Sequence, residues 1–242
     1  MENAVRRVVW FVIGSLTLHA GLIGFPSGAA AQQKQRPASQ AAAPAPAAIA
    51  SPTEPAGKAA NADVRGFRSA SFGADEDAVR AAIKKDFQIA PEKIALEENY
   101  AEQTRVLSVK VPDLLPGGGT ASVNYVLGYK TKALIQVSIA WSKATDETMN
   151  AERLFSNGNV LRAHFMAAGY KPESIASNAP VNDGLLLFRG SDIGDRTTLL
   201  LLQGTMTQGQ NKEQVLSPTT LLLAYVVDAR NPDVFKLAPG QF

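Results

Sequence analysis

A chain of 242 residues without a single cysteine has no disulfides, no thiolate nucleophile, no cysteine-held metal and no cysteine to carry a lipid. Residues 64–242 contain 19 basic and 19 acidic side chains, so this part of the chain lacks the net positive charge expected of a nucleic-acid binder. About 180 residues with ordinary hydrophobic content are enough for a core that holds itself together without cross-links.

The first 31 residues read as a secretory signal peptide. Arg6 and Arg7 form the positive start, Val8 to Phe25 the apolar run, and Ala29-Ala30-Ala31 a small-residue cleavage site before Gln32. The alternative is an uncleaved anchor, since 18 apolar-rich residues lie near the lower limit for a membrane span. Either way the rest of the chain leaves the cytoplasm, and the short Ala-rich leader points to a bacterial periplasm or cell envelope. Residues 32–63 follow as a linker, with 12 alanines and five prolines among 32 residues. Such a composition buries too little surface to offset ordering entropy, so a disordered spacer is expected.

From Val64 to Phe242 the pattern is that of one α+β globular domain. Phe67 and Phe72 flank a short strand or docking segment. A helix is expected over about Ala74–Phe87, with Asp75, Glu76 and Asp77 in its first turn and Lys84 and Lys85 near its end, as the helix dipole favours. Val79, Ala82, Ile83 and Phe87 share one face. Strands are expected near Ile94–Glu97 and Arg105–Val111, followed by the loop Pro112–Gly119.

The central feature is a hairpin over Ala121–Trp141. Ile135, Val137, Ile139 and Trp141 alternate with Leu134, Gln136, Ser138 and Ala140, which predicts a large apolar row facing a core and a smaller row facing out. Val123, Tyr125 and Leu127 form the matching row. Gly128 to Lys132 makes the turn, with a basic tip.

A second helix is expected over about Asp146–Ala168, capped by Thr145 or Asp146 and ended by Gly169. Its apolar stripe runs through Ala151, Leu154, Phe155, Gly158, Leu161, Phe165 and Ala168. Gly158 on that stripe implies a close approach to a sheet, or a break at Asn157–Asn159. Strands at Leu185–Arg189, Thr197–Gly204 and Thr219–Val227 complete the domain, with Met206–Pro218 as a polar loop. The unbroken runs Leu199–Leu202 and Leu221–Leu223 imply strands covered on both faces. Phe235, Leu237 and Phe242 are available to dock the C-terminal tail. The expected architecture is therefore an antiparallel sheet of about seven strands with two helices packed on one face, in two helix-plus-meander halves.

The segment Phe72-Gly73-Ala74-Asp75-Glu76-Asp77-Ala78-Val79-Arg80 resembles the opening of the first helix in small envelope proteins of the BamE/SmpA type. The helix-plus-meander order in tandem is similar to the layout of β-lactamase-inhibitor proteins. The resemblance implies a protein-binding or assembly role. It transfers no functional residue, and the lipid-bearing cysteine of BamE-type proteins is missing here.

Chemistry-bearing motifs are sparse. His164 is the one histidine after the leader, with no nucleophile or carboxylate placed beside it by spacing, and a position at the helix boundary accounts for it. Pro116–Thr120 lacks the lysine and the following helix of a phosphate loop. Asp192 and Asp195 lack the further acidic positions of an EF-hand loop, so a hairpin turn accounts for both. Glu97, Glu98 and Asp113 could act as an acid/base pair only if the fold joined them. Neither a metal nor a cofactor is expected.

The remaining candidate is the loop itself. Leu114 and Leu115 sit between two prolines and are followed by Gly117, Gly118 and Gly119. Prolines restrain the apolar pair, glycines turn the chain into the hairpin, and loops run over surfaces. These five residues are the expected binding site for a protein or cell-wall partner. Burial of both leucines under the sheet edge is the alternative. The leading functional reading is a non-catalytic binding or assembly protein of the envelope, without a nucleic-acid partner, and the rival is a periplasmic hydrolase with paired carboxylates.

Overall fold

Periodicity-two segments dominate the chain after residue 90, and in the computed structural model they form one large antiparallel sheet. The structure describes residues 61–182, 184–208, 214–237 and 240–241. The expected leader, and all of the expected linker except Asn61–Asp63, lie outside these residues. The described chain runs β1 (Gly66–Phe67), β2 (Ala70–Ser71), α1 (Glu76–Phe87), β3 (Ala95–Asn99), β4 (Thr104–Val111), β5 (Ala121–Leu127), β6 (Leu134–Ser142), α2 (Ala151–Met166), β7 (Ala179–Val181), β8 (Gly184–Ser191), β9 (Thr197–Gln208) and β10 (Gln214–Val226). The class is α+β and mostly sheet.

The eight-stranded sheet has the order β3-β4-β5-β6-β10-β9-β8-β7, and β1 pairs with β2 in a separate two-stranded unit. Each set of four strands is a meander. Their last strands meet at the centre, where Leu223 of β10 lies opposite Ile139 of β6. The count is eight rather than about seven because β7 escapes a periodicity reading. It has three residues, one of them Pro180, and it lies at the sheet edge, where a missing donor costs nothing.

α1 starts where the sequence implies. Asp75 caps it by accepting from the Ala78 N–H at 2.9 Å. Its approach to the sheet is pinned by exchanged hydrogen bonds, Gly73 N–H to Leu134 O and Leu134 N–H to Ala74 O, and by Glu76, which pairs with Arg105 of β4 at 2.7 Å. α2 begins later than expected. Its cap is Asn150, which accepts from the Arg153 N–H, while Asp146 turns away to bond Thr148 and Thr120. The helix is continuous through Gly158. A Cβ there would stand 2.7 Å from Leu187 Cδ1 and 3.4 Å from Leu221 Cδ1, so the glycine permits a close contact with the sheet. Phe155 of the expected stripe is 41 % exposed. Asn157 takes its place inside, because its amide has a backbone partner described below.

Val79 and Ile83 of α1 and Leu154, Leu161 and Phe165 of α2 belong to one apolar cluster with Val109, Val123, Val137, Leu200 and Leu223. Leu199, Leu201, Leu222 and Ala224 form a second cluster with Ala140 and Leu186. Both leucine runs are thus buried on both faces, as their lack of alternation implies.

The central hairpin departs from its expected pattern twice. Ile135 leaves the main core and packs with Val106 and Val126, because the pairing of β5 and β6 slips between Val126 and Leu127 and Leu134 takes the inner position. The small row is not exposed either: Gln136, Ser138 and Ala140 are all buried. The basic tip is held by Asp233, whose carboxylate accepts from the N–H groups of Lys130 and Thr131 and from the Thr131 hydroxyl.

Met206–Pro218 is not a polar loop throughout. β9 and β10 stay paired from Gly204–Gln208 to Gln214–Pro218, beyond the last residues matched by β8 and β6. Thr205, Thr207 and Val215 suit this ribbon, and Pro218 sits at a register shift where a ladder donor is not needed. Of the expected tail contacts, Phe235 meets the Tyr129 ring edge-on at 5.5 Å, Leu237 is exposed, and Phe242 lies outside the described residues.

Candidate binding surface

The Pro112–Gly119 loop is held by a bond of its own, by Asn157 of α2 and, through the next residue, by Asp146 before α2. Gly118 N–H donates to Leu115 O at 2.8 Å. The buried Asn157 Nδ2 donates to Gly118 O at 2.9 Å. Thr120 N–H donates to Asp146 Oδ2 at 2.9 Å, and the other oxygen of Asp146 accepts from the Thr148 N–H and hydroxyl. The Thr148 hydroxyl bond first, then the Thr120 and Thr148 amides, hold the Asp146 carboxyl below the usual carboxylate range. Gly119 is required here. It adopts φ +79°, and a Cβ would fall 2.7 Å from Asp146 Oδ2.

Leu114 and Leu115 are half-buried and packed against the main core, so they are neither fully displayed nor fully tucked away. Leu114 lines a surface crevice of about 260 Å³ together with Arg68, Phe87, Ile89, Val111 and Pro112. Gly117 is exposed, Gly118 buried and Gly119 half-buried. The glycines shape the loop and Leu114 supplies the apolar wall.

Arg68 also lines a second crevice of about 390 Å³, with Phe67, His164, Phe165, Tyr170 and Tyr225. Arg68 lies in the turn of the β1–β2 hairpin with φ +52°. Its guanidinium carbon stands 4.8 Å from the Phe87 ring centroid and 5.7 Å from that of Phe67. Phe67 in turn stacks on Tyr225 at 5.8 Å. Burial pushes the Tyr170 and Tyr225 hydroxyls up, so both stay protonated and uncharged. His164 is exposed beside this crevice, in edge contact with Phe165 at 5.2 Å.

One wall of the larger crevice is fixed by Asp192. The carboxylate is buried and accepts from the N–H groups of Val64, Gly194 and Arg196 and from Arg196 Nε. Arg196 reaches on to Asp63 at 2.8 Å. The acceptor capacity of Asp192 is therefore spent on the protein itself, and Asp195 pairs with Lys171. The turn is a structural knot that ties the incoming chain to the β8–β9 corner, with Ala62 already docked through its N–H on Gly169 O. Among the described residues no group of three or more histidine, aspartate or glutamate side chains is placed to hold a metal ion.

The fold does not bring Glu97, Glu98 and Asp113 together. Glu98 lies opposite Arg105 on the edge strand β3, whereas Asp113 follows Val111 at the far end of β4. That is roughly 20 Å along an extended strand. The sequence drew attention to the loop but not to Arg68. Phe67 and Phe72 mark the hairpin in the sequence, yet nothing local shows that its turn reaches the α1 end and the loop.

Fold and site together define an α+β protein with an eight-stranded antiparallel sheet and paired crevices around one arginine. No protein-family model matches the chain, and neither a curated protein nor a solved structure is significantly similar to it.

Proposed function

We propose that this protein is exported to the cell envelope and has a non-catalytic binding or assembly role there, with the Pro112–Gly119 loop as its contact with a protein partner. One observation carries the reading: Leu114 stands at an open crevice on a loop whose backbone is already held by Asn157 and Asp146. A surface ordered before contact loses little entropy on binding. The leader pattern of residues 1–31 supports export, and the resemblance of Phe72–Arg80 to BamE/SmpA-type proteins is in keeping with an envelope role. In this reading both helices cover one face of the sheet, which their shared apolar cluster supports. The hydrolase rival would need paired carboxylates, and Glu98 and Asp113 lie toward opposite ends of β4.

A photo-crosslinking residue placed at position 114 tests the contact in cells. A discrete protein adduct is expected at 114 and not at Lys110, an exposed position on β4. Equal labelling at both positions, or none at 114, would sink the reading. N-terminal sequencing of the envelope fraction tests export: Gln32 is expected as the first residue, and a chain retaining Met1 or Glu2 would establish the anchor instead.

A further inference from the structure

We infer that the two crevices take an extended peptide segment, with one carboxylate on Arg68 and an apolar side chain seated to either side of it. This rests on the binding role proposed above and names the chemistry of its partner.

Arg68 is the shared wall of both crevices. Arg68 is exposed, and among the described residues its guanidinium has no hydrogen bond or ion pair, although Asp86 lies nearby on the Ser69 N–H. Two aromatic rings lie beside the guanidinium, which restrains it. Its N–H edge remains available, and that planar fork matches a carboxylate.

The turn does not call for an arginine. A residue at φ +52° is more easily glycine or asparagine. The Asp86 carboxylate that closes the hairpin accepts from the Ser69 backbone N–H, not from the Arg68 side chain. What the arginine adds at this position is its head group.

Each crevice has apolar residues among its polar ones. Phe87, Ile89 and Leu114 line one side, and Phe165, Tyr170 and Tyr225 the other. At about 260 and 390 Å³ the crevices lie around the lower end of small-molecule pockets. A side chain in each, joined by a backbone crossing Arg68, fits the arrangement better than one compact ligand. Asp63 lines the larger crevice and Asp113 the smaller, so a cluster of acidic residues would be repelled and a single carboxylate is favoured. The lack of net charge over residues 64–242 likewise argues against a polyanion.

The test is selection of a random dodecapeptide display library on the protein purified from the envelope fraction. Selected peptides should carry one Asp or Glu with large apolar residues within two positions on both sides. A selected peptide should bind Arg68→Gln about five- to tenfold more weakly, as for one charge-assisted contact near a surface. Replacing its own acid by the amide should cost about as much, and combining both changes should add little further loss. Arg68→Gly guards against a folding artefact. It relaxes the backbone, so its denaturation midpoint should equal or exceed the parent's while acid selectivity disappears. Peptides without an acidic preference that still need Leu114 would overturn the Arg68 assignment and leave the binding role standing. An acidic preference that survives Arg68→Gln would overturn it as well. Failure to select any peptide would count against both readings.

Discussion

The two meanders share a topology and differ in what they put on the sheet face away from the shared helix cluster. In β8–β10 that face is built from Leu186, Leu199, Leu201, Leu222 and Ala224. In β4–β6 the corresponding ground holds Ser108, Ser122, Asn124, Gln136 and Ser138. The Ser108 and Ser122 hydroxyls both donate to Asn124 Oδ1. Gln136, on the seam between the halves, is 1 % exposed, and neither of its amide atoms has a hydrogen-bond partner. That face of the second half is closed by apolar contact, whereas in the first the apolar cluster of Val106, Val126 and Ile135 lies beside polar side chains, with Gln136 buried and unpartnered among them. Substitutions in the second half should therefore cost stability, and suitable ones in the first should return it.

The largest effect is expected at Asp192. Alanine there strands three backbone N–H groups and the Arg196 guanidinium, at a cost of about 3–5 kcal/mol. Urea unfolding measures the loss, and a change below about 1 kcal/mol would mean the knot is dispensable. Gly158→Leu should cost about 1–3 kcal/mol through overpacking against Leu187 and Leu221. A midpoint at or above the parent's would show that the helix lifts away freely.

In the first half the sign reverses. Gln136→Leu keeps the approximate shape and removes two unsatisfied polar atoms, so a gain of about 1–2 kcal/mol is expected in the same measurement. A loss would show that the amide is bonded in solution. A pH dependence is expected as well. Burial raises the Glu102 carboxyl from 4.5 to about 7. Between these values the folded state holds more protons than the unfolded, so this group's contribution to stability falls as pH rises from about 4.5 to about 7 and is constant above that. Glu102→Gln should match the parent below pH 4.5 and exceed it above pH 7. Parallel stability curves would place the Glu102 carboxyl in ordinary solvent.

Some of this was legible along the chain. Asp75 and the lysines of α1 act where helix-dipole and capping rules put them. Gly158 lies on the buried stripe, and the leucine runs of β9 and β10 are closed on both faces. Of the candidate surface, the loop and Leu114 were visible as a restrained apolar turn. Arg68 was not, because its ring partner Phe87 and the crevice it shares with Leu114 come together only after the hairpin folds back.

Periodicity, capping and turn residues act within a few positions, so the sequence alone determined the two helices, most of the strands and the break at Pro112–Gly119. Contacts between distant residues decided the remainder. The pairing of β6 with β10 joined the meanders. The slip at Val126 moved Ile135 to the other face. Bonds from Val64 to Asp192, 128 positions apart, and from Thr131 to Asp233, 102 apart, tied segments to turns with which they share no local pattern. Pairing, slip and long ties depend on how whole strands compete for partners in three dimensions. No window of neighbouring residues carries that competition.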